Sequence, residues 1–136
     1  MKQIKKGDQA VLTKTITEAE VRQYAQLLGD ADSFHMDEQK AKETVFGRRI
    51  VHGMLVGSYI AKVLGLQLPG EGTIYLEQDM KFQKPVFFDD TITVRVTVDE
   101  VLNAGKGIYR MDTIVTNQEG DTVVDGYAVV KYQASV

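Results

Sequence analysis

The spacing of apolar residues changes once along the chain, at Pro69-Gly70-Glu71-Gly72. Upstream, Val21, Tyr24, Ala25 and Leu28 recur at i, i+3, i+4 and i+7, which marks one face of an amphipathic helix. Thr17-Glu18-Ala19-Glu20 spells a capping box at its start, and Gly29 is placed to end it. A β-leaning stretch, residues 10–16, precedes this helix. Asp37 caps a short second helix through Glu38, Lys40, Ala41 and Lys42, closed by Gly47-Arg48-Arg49. From Gly53 to Leu64, residues Met54, Leu55, Val56, Tyr59, Ile60, Ala61, Val63 and Leu64 cover nearly the whole circumference, with Lys62 the one charge. A helix apolar all round has to be enclosed by the rest of the protein.

Past Gly72 the period shortens to two. Thr91-Ile92-Thr93-Val94-Arg95-Val96-Thr97-Val98 alternates polar and β-branched apolar residues, the pattern of a half-buried strand. Residues 73–82 form a strand with poorer alternation, ended by Pro85 and a turn at Asp89-Asp90. Residues 108–116 and 122–132 are two more strands, joined by Asn117-Gln118-Glu119-Gly120-Asp121 and preceded by Asn103-Ala104-Gly105-Lys106-Gly107. Short connections imply antiparallel neighbours, so the expectation is one strand, then helices, then four consecutive antiparallel strands. Helices segregated from strands define an α+β fold. The way to enclose the apolar helix, about residues 53–64, is a curved antiparallel sheet wrapped around it.

Composition narrows the possible functions. A length of 136 residues suits one domain, expected to span 1–136, with 43% hydrophobic and 26% charged residues and no bias toward disorder. A net charge of -3 argues against a nucleic-acid partner, since the local basic cluster is limited to Lys2, Lys5 and Lys6. Absence of cysteine removes disulfides, thiolate nucleophiles and cysteine metal sites. No apolar run approaches the roughly 18 residues of a membrane span, and the N-terminus lacks the pattern of a secretory signal. A cytoplasmic protein without a membrane partner is expected.

Both histidines fall in one region that also carries a carboxylate, serines and glycines. Asp30 and His35, in a loop without helical constraint, can converge on one water and exchange protons near neutral pH if burial shifts the carboxylate upward; the alternative is that Asp30 merely ends a helix and His35 is an ordinary loop histidine. Gly53 opens the apolar helix, where unpaired N–H groups and the positive dipole end can stabilise an oxyanion; it could equally allow close helix–sheet packing, with His52 a plain N-terminal polar residue. Ser58 either bonds back to the i-4 carbonyl or orients Asp30. Gly65, Gly70 and Gly72 fit neither a phosphate loop nor a dinucleotide fingerprint, and two histidines without a third ligand make no metal site. Tyr75, Phe82, Phe87 and Phe88 read as core or interface aromatics.

Taken together, Gly29-Asp30-x-x-x-x-His35-x-Asp37 and Phe46-Gly47-x-x-Ile50-Val51-His52-Gly53-Met54-Leu55-x-x-Ser58 resemble the (R)-specific enoyl-CoA hydratases, the MaoC-like proteins of hot-dog fold. The resemblance continues through Leu68-Pro69-Gly70, Gly72-Thr73-Ile74-Tyr75 and Phe82-x-x-Pro85-Val86. It implies a lyase of fatty acid metabolism that hydrates trans-2-enoyl-CoA reversibly to (R)-3-hydroxyacyl-CoA without metal or redox cofactor. Asp30 and His35 would hold the water and move its protons, the Gly53 amide would take charge on the thioester oxygen, and Ser58, with His52, would support Asp30. An acyl pocket is expected around Val56, Tyr59 and Ile60, and a homodimer as in the family. One departure is Asp32-Ser33, where the family usually has Asn-Pro; the added carboxylate would either raise the pKa of Asp30 or His35 or disfavour an anionic substrate. Other functions of the same fold are dehydration of 3-hydroxyacyl groups on acyl carrier protein, thioester hydrolysis, and a non-catalytic acyl-CoA-binding module.

Overall fold

A computed structural model describes residues 3–133; Lys2 of the basic cluster lies outside them. Five strands and three helices follow one another as β1 (Gln9–Thr15), α1 (Glu18–Leu28), α2 (Glu38–Lys42), α3 (Gly53–Leu66), β2 (Ile74–Phe82), β3 (Thr91–Asn103), β4 (Ile108–Thr116) and β5 (Thr122–Lys131). The strands form one antiparallel sheet in the order β1-β3-β4-β5-β2. Two of the three expected consecutive pairs, β3–β4 and β4–β5, are adjacent. The exception is the β2–β3 pair: β2 joins the far edge beside β5, and β1 covers the other side of β3. The segment between Phe82 and Thr91 therefore crosses the sheet, anchored by the Ile50–Phe87 bridge and by a turn in which Asp89 adopts φ 69°.

Alternation in β3 buries Ile92, Val94, Val96 and Val98 on one face, joined by Met111 and Val115 of β4 and by Val124, Ala128 and Val130 of β5. Helix α3 lies against this face and contacts β3 and both edge strands, β1 and β2, so the sheet curls around it. Leu55, Val56, Ile60, Val63 and Leu64 are its buried side. The helix is not enclosed on every side within one chain: Met54, Ser58, Lys62 and Leu66, each four residues apart, form an exposed row. This row and the outer part of β2 flank a groove lined by Met54, Ser58, Ala61, Tyr75, Leu76 and Met80. Ile74, Tyr75 and Leu76 are each at least 42% exposed.

Local signals explain the helix ends. The Glu20 N–H donates to the Thr17 hydroxyl at 3.3 Å, while the Glu20 carboxylate turns to Lys14 (2.7 Å) and the Tyr59 hydroxyl (2.5 Å). Half of the capping box thus forms. Gly29 adopts φ 76° and the Asp30 N–H reaches back to the Ala25 carbonyl at 2.8 Å, a left-handed helix stop that fixes where Asp30 leaves α1. Val21 and Ala25 are buried as the spacing requires, but Leu28, one residue before the stop, is exposed. Helix α2 ends at Lys42, earlier than Gly47, because the Thr44 hydroxyl bonds the Ala41 carbonyl at 2.7 Å and turns the chain.

Candidate active site

Asp30, His35 and His52 come together from three segments. Asp30 follows the α1 stop, His35 sits on the next turn, and His52 immediately precedes α3. The Asp30 Oδ2 accepts from the Ser33 hydroxyl at 2.8 Å and from His52 Nε2–H at 2.8 Å; Oδ1 accepts the Ser33 backbone N–H at 3.2 Å. Donors on both oxygens favour the ionised form. Asp30 accordingly titrates below its ordinary value, first because of His52 and then because of Ser33.

His35 Nδ1 lies 2.8 Å from the Ile50 carbonyl. A carbonyl only accepts, so Nδ1 carries the proton and the lone pair of the neutral ring is on Nε2. Burial lowers the pKa of His35, opposed by the Ile50 bond and reinforced by the neighbouring His52. His35 is therefore neutral at neutral pH. Its ring stacks on that of His52, with centroids 3.9 Å apart, and Tyr24 meets the His52 ring edge-on at 5.1 Å. His52 is 8% exposed, and its Nδ1 is buried without a hydrogen-bond partner.

Gly53 starts α3 next to this cluster, at the first helical position, where the helix itself supplies no acceptor for its N–H. It opens on a cavity of about 430 Å³ walled by Phe46, Val56, Phe82, Pro85, Val86 and Val124, with Lys84 at its polar rim. The Phe82 ring packs against Gly53 so closely that a Cβ there would lie 2.9 Å from it. Asp30 does not line this cavity. It borders a separate cleft of about 320 Å³ with Arg22, Ala25, Gly29 and Met36. Ile50 links the larger cavity to the cluster, since the residue lines that cavity and its carbonyl holds His35.

Several expectations are corrected by this geometry. Ser58 is exposed on α3 and its hydroxyl donates to the Met54 carbonyl at 2.7 Å, the local i-4 bond; the hydroxyl on Asp30 belongs to Ser33. Of the three acyl-pocket residues, Val56 lines the cavity, but Ile60 is fully buried in the core and Tyr59 points to Glu20. Asp32 is exposed, its carbonyl accepting from Lys40 Nζ at 2.5 Å, and the pKa values of Asp30 and His35 are both lowered rather than raised. Ser33 was missed as a partner of Asp30, although Asp-x-x-Ser is the pattern of a side chain bonding its own downstream backbone. No sequence signal pointed to the Ile50 carbonyl. Among the described residues no group of three or more His, Cys, Asp or Glu side chains is arranged to hold a metal ion.

An antiparallel sheet curled on one helix, with a carboxylate and two imidazoles gathered before that helix's N-terminus, defines a hot-dog protein. The family model described as MaoC like domain matches residues 2–121, and the chain belongs to this family. It is 40% identical to an (R)-specific enoyl-CoA hydratase of Rhodospirillum rubrum over 96% of this chain and 90% of the relative. To the enzyme of the same name from Aeromonas caviae it is 43% identical, over 92% of each chain. A solved (R)-hydratase from A. caviae, described as involved in PHA biosynthesis, superposes with a TM-score of 0.90 at 41% identity, covering 98% of this chain and 100% of that one.

Proposed function

We propose that the protein is a hydro-lyase that adds water reversibly to trans-2-enoyl-CoA to give (R)-3-hydroxyacyl-CoA. The observation that carries the reading is the pairing of an ionised Asp30 with a neutral His35 whose Nε2 is a free acceptor, next to the N-terminus of α3. Neither group brings a proton of its own at neutral pH. Both instead accept from one water, and as its oxygen attacks the β-carbon, one of the pair takes a water proton. Negative charge moves onto the thioester oxygen, where the Gly53 N–H and the helix dipole stabilise the enolate; one such donor contributes roughly 2.7–4 kcal/mol. The proton taken from the water is then returned to the α-carbon, so atoms balance as enoyl thioester plus water. Run backwards, the same steps dehydrate. The (R) configuration rests on the likeness to the named hydratases.

The apolar cavity beside Gly53 is the place for the acyl chain, with Val56, Phe82 and Val124 as its walls. The reaction as written needs no metal or redox cofactor. The protein acts in the cytoplasm as one domain over 1–136. A homodimer is supported by the exposed Ile74, Tyr75 and Leu76 on edge strand β2, beside the apolar groove along α3, which a second copy would cover. No helix among the described residues is long and apolar enough to cross a membrane.

The test is hydration of crotonyl-CoA, followed by loss of enoyl absorbance and by chiral analysis of the product. (R)-3-hydroxybutyryl-CoA is expected, with Asp30→Asn and His35→Gln each losing about 10²–10⁴ in rate. Release of free thiol would mean thioester hydrolysis instead. Binding without turnover would favour an acyl-CoA-binding module, and a strong preference for matched carrier-protein thioesters would favour the dehydratase function.

A further inference from the structure

We propose that Ser33 is a positioning residue for hydration: its hydroxyl and backbone N–H grip both oxygens of Asp30, so that Oδ1 is the oxygen presented to the water. The inference rests on the assignment of Asp30 to the reacting water. Oδ2 already accepts two donors at 2.8 Å, from Ser33 and His52, whereas Oδ1 accepts one, at 3.2 Å. An ionised carboxylate has about two lone-pair sites on each oxygen, so the open one is on Oδ1.

The same serine also sets His35. Its Oγ accepts the His35 N–H at 3.2 Å while donating to Asp30, and its carbonyl accepts the N–H groups of Met36 and Asp37, each at 2.9 Å. One residue thus ties the carboxylate, the imidazole-bearing turn and the start of α2 into a single unit. A proline at position 33, as in the usual family pattern, would offer neither the hydroxyl nor the N–H. The loop of this chain is therefore held by hydrogen bonds that a proline-bearing loop cannot make. Three ionisable groups face Asp30: His52, which bonds it; His35, beside it; and Arg22, across the cleft.

Ser33→Ala and Ser33→Thr separate positioning from mere structure. In the crotonyl-CoA assay Ser33→Ala is expected to lower kcat about tenfold with KM little changed, the size of one lost hydrogen bond to a charged group. The Asp30 carboxyl, followed by carbon NMR and assigned with Asp30→Asn, should titrate higher, because the Ser33 hydroxyl no longer donates to it. Ser33→Thr, which keeps the hydroxyl, should restore both. An unchanged titration and kcat in Ser33→Ala, or equal losses in the Ala and Thr variants, would overturn the proposal. So would loss of the fold in both, because a positioning residue is dispensable for folding. If the parent protein does not hydrate the substrate, or Asp30→Asn retains full activity, it is the functional reading that fails; the NMR titration still reports on the Ser33 contact.

Discussion

The rings of His35 and His52 stack 3.9 Å apart with 22° between their planes, while His52 Nε2 lies 2.8 Å from Asp30. Burial lowers the pKa of His35, and the neighbouring His52 lowers it further. The stack therefore helps to keep His35 neutral and able to accept a proton.

The first prediction concerns pH. His35 is held below its ordinary value of 6.5, by burial first and by its neighbour His52 after that. Its neutral form is the active one, so kcat/KM should be full at neutral pH. It should fall as pH drops through a pKa below 6.5. Asp30, lowered from an already acidic 3.8, protonates only at still lower pH and does not set this limb. A pH profile of crotonyl-CoA hydration checks the sign; a limb centred above 6.5 would contradict a buried, neutral His35.

A second prediction separates the cavity walls from residues that only neighbour them. Val124 faces the cavity from β5, whereas the Ser58 hydroxyl is spent on the Met54 carbonyl at the exposed face of α3. Val124→Ala should move the preference toward longer enoyl chains, each added methylene recovering up to about 0.8 kcal/mol of burial. Ser58→Ala should leave both kcat and chain-length preference within about twofold, since an exposed local hydrogen bond contributes little. Rates across a series of enoyl-CoA chain lengths decide both.

Much of this architecture was legible because the signals were local. Thr17 and Gly29 bracket α1, period-two alternation marks β3, and Asp30 with His35 follows from order along the chain. The place of β2 was not legible, because loop length says nothing about which sheet edge a strand joins. The exposed row Met54, Ser58, Lys62 and Leu66 was misjudged for a related reason: apolar residues on an exposed helix face look the same in sequence as residues turned toward a core. Ser33 and Ser58 show the limit for the site. Both are serines near catalytic candidates, and only the three-dimensional path of the loop decides which hydroxyl reaches the carboxylate.

The third prediction uses the Tyr59–Glu20 contact, which joins α3 to α1 at 2.5 Å beside the Lys14 ion pair. Partial burial alone would raise the pKa of Glu20, but hydrogen bonds from Lys14, Tyr59 and Thr17 outweigh it, and the net shift is downward from 4.5. A carboxylate with a lowered folded pKa contributes stability that is fully present above its unfolded value and is lost as pH falls through the folded one. Tyr59→Phe should therefore lower stability at neutral pH by about 1.5–3 kcal/mol, the range for a hydrogen bond to a charged group. The difference from the parent protein should shrink once the pH falls below 4.5 and Glu20 takes up its proton. Because Tyr59 lies outside the acyl cavity, chain-length preference should not change. Denaturant midpoints of the two proteins at neutral and acid pH test the assignment, and a stability difference that stays the same on acidification would show that the tyrosine acts through packing alone.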